Sequence, residues 1–277
     1  MKTVMPLMFF FLFSFSAFAD EFTSRVELIE EGEGNLPHLI KLENGRVVFL
    51  DEEERELITD FEDSQRNGDY LEVVVDNTNS FVSAETVENE NSVSPEEVKT
   101  APNFSYDPTV LGSYSEANSI FSRMRRNYQN ESQCYNRAHI WAYEEYKRSN
   151  LNSMKLFLFF TNRYIRNYRY QWWFHVSPMV LVNEGGASVE RVLDRRYTTT
   201  PRFVNSWTNI FIYSGRKCPV VQKYNDYRNN QEKEDCYLIP VSMYFWQPRD
   251  IVSRDNNGYE KKSFIKSEVD WAYWEAF

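Results

Sequence analysis

The sequence is poor in the residues that most often bind metal ions. It has only three histidines and three cysteines in 277 residues. The histidines are scattered and no Cys-x-x-Cys pair is present, so the pattern argues against a metal site and predicts no cofactor. We expect His38 at the surface and His139 in a structural role.

Long hydrophobic runs are missing beyond the N-terminus. No stretch after residue 19 approaches the roughly 18 apolar residues that a membrane helix needs. Residues 1–19 combine Lys2, an apolar run and the small-x-small pattern Ala17-Phe18-Ala19, which is typical of a secretory signal peptide. We expect a secreted or periplasmic monomer that leaves the membrane once the signal is removed; a retained membrane anchor is the alternative.

A strong basic charge is also missing, and the acidic charge is placed unevenly. The formal net charge is −10. Residues 20–110, the front segment, hold 24 acidic and 6 basic residues, a net of −18, whereas residues 111–277, the back region, hold 17 and 24, a net of +7. Opposite charges of this size favour docking of the front segment on the back region. The basic excess is modest and no basic-aromatic motif is present, so no nucleic-acid partner is expected.

The front segment reads as a small β-rich domain. Residues 38–42 and 46–50 are strand-forming runs on either side of Asn44-Gly45, a dipeptide that favours tight hairpin turns. Residues 88–109 are polar and contain three prolines, which predicts a linker exposed to proteolysis. The front segment is therefore either an acidic pro-segment that is removed or an accessory domain that is retained.

The back region predicts a helix followed by strands. Residues 134–149 contain no Gly or Pro and favour a helix that begins at Cys134. Gly185-Gly186 would centre a hairpin that places Asp194 opposite Ser177. Since side chains alternate along a strand, Asp194 would then lie one diagonal step from His175 and could accept the N–H of its Nδ1.

Cys134, His175 and Asp194 form a coherent triad for acyl transfer. The unpaired N–H groups at a helix start stabilise a thiolate and could also hold the oxyanion of a tetrahedral intermediate. Cys134 would be the nucleophile, His175 the acid and base, and Asp194 the residue that orients the imidazole. Gln133 could donate to the oxyanion, and Trp173, two residues before His175, is the best candidate to line the cleft. The alternative is a structural cysteine and a hydrogen-bonded core histidine.

The number of cysteines matters because an exported chain favours pairing and an odd count leaves one thiol over. Cys218 and Cys236 bracket a polar stretch, and a disulfide that closes this loop would stabilise the protein by roughly 3 kcal/mol. That pairing would leave Cys134 as the free thiol. The alternative, Cys134 paired with one of the other two, would remove the nucleophile.

Four stretches, CYNRAH, WWFHV, ERVLD and PRFVNSWTNIF, resemble the secreted protein-glutamine glutaminases. The resemblance spans residues 130–215. It implies an α+β fold with a papain- or transglutaminase-like core, an antiparallel sheet and the nucleophile at a helix N-terminus, preceded by the small β-rich domain. It also implies that Cys134 attacks the side-chain amide of a protein-bound glutamine, that ammonia leaves, and that a pro-segment blocks the cleft before cleavage.

The sequence therefore predicts three parts: a signal peptide at 1–19, an acidic pro-segment or accessory domain at 20–110 with a linker at 88–109, and a catalytic domain at 111–277. The predicted activity is that of a cysteine amidohydrolase acting on proteins or peptides that carry glutamine. Two alternatives stay open. One is a transglutaminase-like acyltransferase or a cysteine protease with the same triad, and the other is a secreted binding protein without activity.

Overall fold

The computed structural model describes residues 19–87, 106–258 and 260–277. The predicted signal peptide, apart from its last residue, and most of the predicted linker at 88–109 therefore lie outside the described residues. Within the described ranges, none of the helices combines the length and apolar character that crossing a bilayer requires.

The front segment folds into two small antiparallel sheets and one helix. Its elements are β1 (Asp20–Ser24), β2 (Val26–Glu30), β3 (His38–Leu42), β4 (Val47–Leu50), a 3₁₀ turn (Glu52–Leu57), α1 (Ile58–Asn67), β5 (Tyr70–Val75) and β6 (Phe81–Val87). The strand orders are β1-β5-β6 and β2-β3-β4. The predicted hairpin is confirmed, because β3 pairs antiparallel with β4 around Gly45, whose φ of 92° favours glycine.

The back region places its helices around one five-stranded sheet. Its elements are β7 (Val110–Leu111), α2 (Tyr114–Arg123), α3 (Cys134–Ser149), β8 (Met154–Phe160), α4 (Asn162–Tyr168), β9 (Phe174–Glu184), β10 (Ala187–Val192), α5 (Val204–Thr208), α6 (Tyr224–Arg228), β11 (Cys236–Ser242), α7 (Pro248–Asn257) and α8 (Lys266–Ala276). The order β10-β9-β8-β11 is antiparallel, and the short β7 pairs in parallel with β9. This is the mixed helix-and-sheet fold that the sequence predicts.

The β9–β10 hairpin has the predicted register. Ala187 pairs with Glu184 and Val192 with Met179, as a turn centred on Gly185-Gly186 requires. However, β10 ends at Val192. Asp194 therefore lies beyond the end of the strand, not opposite Ser177 in the ladder as predicted.

The front segment packs directly on the back region. The backbone N–H of Trp173 donates to the carbonyl of Gly45 at 2.9 Å, and its indole Nε1–H donates to the carbonyl of Leu42 at 2.8 Å. Val47 and Phe49 lie in the same hydrophobic core as Trp173. One core thus spans both parts of the chain, and burial of apolar surface holds them together.

The structure contradicts one prediction about a histidine and confirms one about the cysteines. His38, expected at the surface, is fully buried in β3 because the β2-β3-β4 sheet is covered on both sides. Cys218 and Cys236 form a disulfide, with their Cα atoms 5.0 Å apart. Cys134 is left as a free cysteine, which agrees with the predicted pairing.

Candidate active site

Cys134 is the first residue of the long helix α3 and faces a cleft. Gln133 precedes it as the N-cap in extended backbone conformation, and the first intrahelical bond runs from the N–H of Arg137 to the carbonyl of Gln133 at 3.2 Å. The N–H groups of the first turn therefore have no partner within the helix, which is the usual state of a helix N-terminus. The cleft has a volume of about 910 Å³, and Cys134 and His175 both line it.

His175 lies on β9, next to Cys134, and is held by Asp194. Its Nε2 lies 2.7 Å from Oδ2 of Asp194 and donates its N–H to the carboxylate. The prediction that Nδ1 makes this contact is wrong, because Asp194 approaches from beyond the end of β10. Cys134 also interacts with His175 closely enough to raise the pKa of the imidazole, and the occupied Nε2 leaves Nδ1 as the ring nitrogen for the thiol.

The charge on His175 is stabilised by its neighbours. Burial alone disfavours the imidazolium, but the Asp194 carboxylate and the hydrogen bonds to Asp194 and Cys134 outweigh burial and raise the pKa of His175 to about 9. Burial likewise disfavours ionised Asp194, yet the charge of His175 and the hydrogen bonds from His175 and Trp207 hold the Asp194 pKa below its usual value. At neutral pH the imidazole is therefore positively charged and the carboxylate negatively charged.

Trp207 contacts the triad through a hydrogen bond to Asp194 that the sequence does not predict. Its indole Nε1–H donates to Oδ2 of Asp194 at 2.8 Å, so the carboxylate oxygen that meets His175 is fixed from two sides. Phe211 packs its ring 4.6 Å from the imidazole of His175. Both residues belong to the PRFVNSWTNIF stretch, so the motif was the available signal for them.

Of the two remaining site candidates, Gln133 lines the cleft and Trp173 does not. Gln133 lines the cleft, and its Oε1 is buried without a hydrogen-bond partner among the described residues. Trp173 is fully buried and is not part of the cleft lining, so that prediction is wrong. The physical reason is the front segment: the β3–β4 turn packs over Trp173, and its neighbour Trp172 lines the cleft instead.

His139, the third histidine, lies away from the cleft. It is fully buried, and its Nδ1 lies 2.7 Å from Nζ of Lys155. Burial and the positive charge of Lys155 hold the pKa of His139 well below its usual value. This environment keeps the imidazole neutral and suits a structural role.

The front segment contributes one wall of the cleft. Phe22 of β1, together with Asn44 and Arg46 at the β3–β4 turn, lines the same cleft as Cys134 and His175. Arg46 is ion-paired with Asp20. The acidic N-terminal strand of the front segment therefore borders the cleft that contains Cys134.

The comparisons with known proteins point in one direction. A family model described as a glutaminase matches residues 113–211, the stretch that contains the three triad candidates. The fold is similar to a solved pro-protein-glutaminase, with a TM-score of 0.50, 11% identity, and coverage of 92% of both chains. A mutant form of pro-protein-glutaminase gives a TM-score of 0.51 and 14% identity, and covers 83% of this chain and 86% of its own. No curated protein matches the chain.

The chain is therefore a mixed α and β protein whose fold is similar to that of pro-protein-glutaminase. The predicted resemblance to the glutaminases is confirmed over residues 113–211 by the family match, and both structures share the overall fold.

Proposed function

We propose that this chain is an exported protein glutaminase, a cysteine amidohydrolase that converts glutamine side chains of proteins to glutamate. The observation that carries the proposal is that Cys134, at the start of α3, lies beside His175, which is hydrogen-bonded to Asp194. It is supported by the glutaminase family match over these residues. Export follows from the signal-peptide pattern of residues 1–19.

The proposed reaction has two halves and needs no cofactor. In the first half, the Cys134 sulfur attacks the side-chain carbonyl carbon of glutamine, the C–N bond breaks, and His175 gives its proton to the departing ammonia. The product of this half is a thioester. In the second half, His175 takes a proton from water, the water oxygen attacks the thioester carbon, and the C–S bond breaks to release glutamate.

The charge that develops on the substrate oxygen needs donors at the start of α3. The backbone N–H of Cys134 and the side-chain amide of Gln133 are the groups we assign to this oxyanion site. Donors aimed at a developing oxyanion stabilise the transition state more than the substrate. Asp194, fixed by Trp207, would keep the imidazole in the orientation that both proton transfers require.

The front segment is proposed to keep the enzyme inactive until the linker is cut. This proposal is supported by Phe22, Asn44 and Arg46 of the front segment, which line the cleft. A glutamine side chain of a folded protein would compete with these residues for the same space. The alternative is an accessory domain that stays in place and helps to bind substrate.

The direct test is ammonia release from a glutamine-rich protein such as casein. The full chain, cut within residues 88–115 by limited proteolysis, should release ammonia and give glutamate-containing casein of unchanged chain length. The matched control is the Cys134→Ala variant, which should release none. Peptide-bond cleavage would indicate a protease instead, and incorporation of a primary amine would indicate an acyltransferase. Equal results for wild type and Cys134→Ala would refute the cysteine mechanism.

A further inference from the structure

The C-terminal helix α8 ends against the start of the helix that carries Cys134. One carboxylate oxygen of Glu275, Oε1, accepts the backbone N–H of Gln133 at 2.7 Å. The other, Oε2, accepts the side-chain Nδ2–H of Asn136 at 2.8 Å. Beside these bonds, the N–H of Gln129 donates to the carbonyl of Ala276 at 2.9 Å. The last turn of the chain is thus bonded to residues on both sides of the nucleophile.

The contacts of Glu275 continue into the core. Asn136 is fully buried, and its Oδ1 accepts the indole N–H of Trp246 at 2.7 Å. Both polar ends of the Asn136 side chain are therefore bonded, one to α8 and one to the segment before α7. This chain of bonds fixes the first turn of α3 from outside the helix, because a helix start cannot bond its own N–H groups.

The N–H of Gln133 is the donor next to the nucleophile. When Glu275 accepts it, the peptide plane before Gln133 is fixed. The N–H of Cys134 remains for the cleft. A carboxylate is costly to remove from water unless its bonds compensate for that cost, and Glu275 makes both of its bonds at this one turn.

We propose that Glu275 is a positioning residue for the reaction: through Gln133 and Asn136 it holds the start of α3 so that Cys134 and its oxyanion donors keep their geometry. This inference rests on the proposed function. It gives a role to the C-terminal stretch DWAYWEAF, which the sequence motifs of the triad do not include. Misplacement of reacting groups by about 1 Å costs roughly a hundredfold in rate, so a loose helix start would be felt in catalysis.

The test compares Glu275→Ala with Glu275→Gln in the cut protein. The alanine variant removes both bonds, so kcat should fall about tenfold to a hundredfold while KM stays within about twofold, since the oxyanion donors act in the transition state. The glutamine variant keeps one acceptor oxygen for the Gln133 N–H but sets its NH2 group against the Nδ2–H of Asn136. It therefore keeps one of the two bonds, and its kcat should lie between those of Glu275→Ala and the wild type. Asp270→Asn is the matched control, because it neutralises an exposed carboxylate on the same helix and should leave kcat unchanged.

A second measurement does not depend on glutaminase activity. The rate at which iodoacetamide alkylates Cys134 at neutral pH should fall about tenfold in Glu275→Ala, because the sulfur and the free N–H groups of the first turn no longer keep a fixed relative position. It should fall less in Glu275→Gln, which keeps the bond to the Gln133 N–H. Slowed alkylation in a protein that releases no ammonia would reject the glutaminase function and keep the positioning role. Wild-type kcat and alkylation in folded Glu275→Ala, or an equal loss in Asp270→Asn, would overturn the positioning role.

Discussion

The two ring nitrogens of His175 have different partners, and this difference decides the chemistry of the site. Nε2 is bonded to Asp194, so Nδ1 is the nitrogen that can exchange a proton with Cys134. The carboxylate also favours the imidazolium, with the result that the pKa of His175 is about 9. A charged imidazole beside Cys134 can give a proton to the group that leaves when the sulfur attacks.

Asp194→Asn should therefore inactivate the protein without unfolding it. The amide occupies the same volume and its oxygen can still accept a hydrogen bond, but it carries no charge to stabilise the imidazolium and its NH2 group favours the wrong imidazole tautomer. We expect kcat to fall by about four orders of magnitude, as for the equivalent change in serine proteases. Circular dichroism should match the wild type. A variant that keeps more than a tenth of the wild-type kcat would show that Asp194 does not orient His175.

The same pair gives a pH dependence of stability. The pKa of His175 is raised on folding, from an ordinary value near 6.5 to about 9, so its stabilisation is complete below about pH 6.5 and is lost as pH rises through about 9. The contribution is about 3 kcal/mol. Urea unfolding at pH 6 and pH 9.5 should show this loss in the wild type and a much smaller one in Asp194→Asn. Equal pH dependence in the two proteins would contradict the assignment.

At the scale of elements, the sequence predicted local pairing well and distant contacts poorly. The register of the β9–β10 hairpin follows from Gly185-Gly186, because a two-residue turn sets the pairing of both strands. The prediction that Nδ1 of His175 meets Asp194 was wrong. It assumed that β10 continues to Asp194, whereas the strand stops at Val192 and no local signal in the sequence marks that end. Glu275 could not be found at all, since 142 residues separate it from Gln133 and neither position has a pattern that points to the other.

The contribution of the disulfide to stability can be tested separately from the active site. Cys218 and Cys236 close a loop that carries α6 and begins β11. Replacing both with alanine should lower the free energy of unfolding by about 3 kcal/mol, because the unfolded chain gains freedom. The alkylation rate of Cys134 should not change. In the unreduced wild type, a tryptic digest should contain the linked Cys218 and Cys236 peptides, and any crosslinked Cys134 peptide would contradict the pairing.

At the scale of the whole molecule, the charge asymmetry predicted docking but not what holds the two parts together. An ion pair does cross the interface, with Arg249 3.0 Å from Glu43. The larger contribution comes from Val47, Phe49 and their apolar neighbours, which are buried in the core of the back region. Hydrophobic side chains in a hairpin give no sign in the sequence of which surface they will cover, whereas net charge is visible at once.

Cutting the linker should raise the glutaminase activity, because the front segment then inhibits as a separate molecule and not as part of the same chain. While attached, the front segment acts at a high effective concentration, and dilution of the cut protein to micromolar levels removes that advantage. We expect activity on a small glutamine peptide to rise about tenfold or more after a cut within residues 88–115. Adding the separated front segment back should inhibit, and inhibition should weaken only partly as salt rises, since salt screens the Glu43–Arg249 pair but strengthens apolar burial. Activity that falls or stays constant after the cut would instead identify the front segment as an accessory domain that helps to bind substrate.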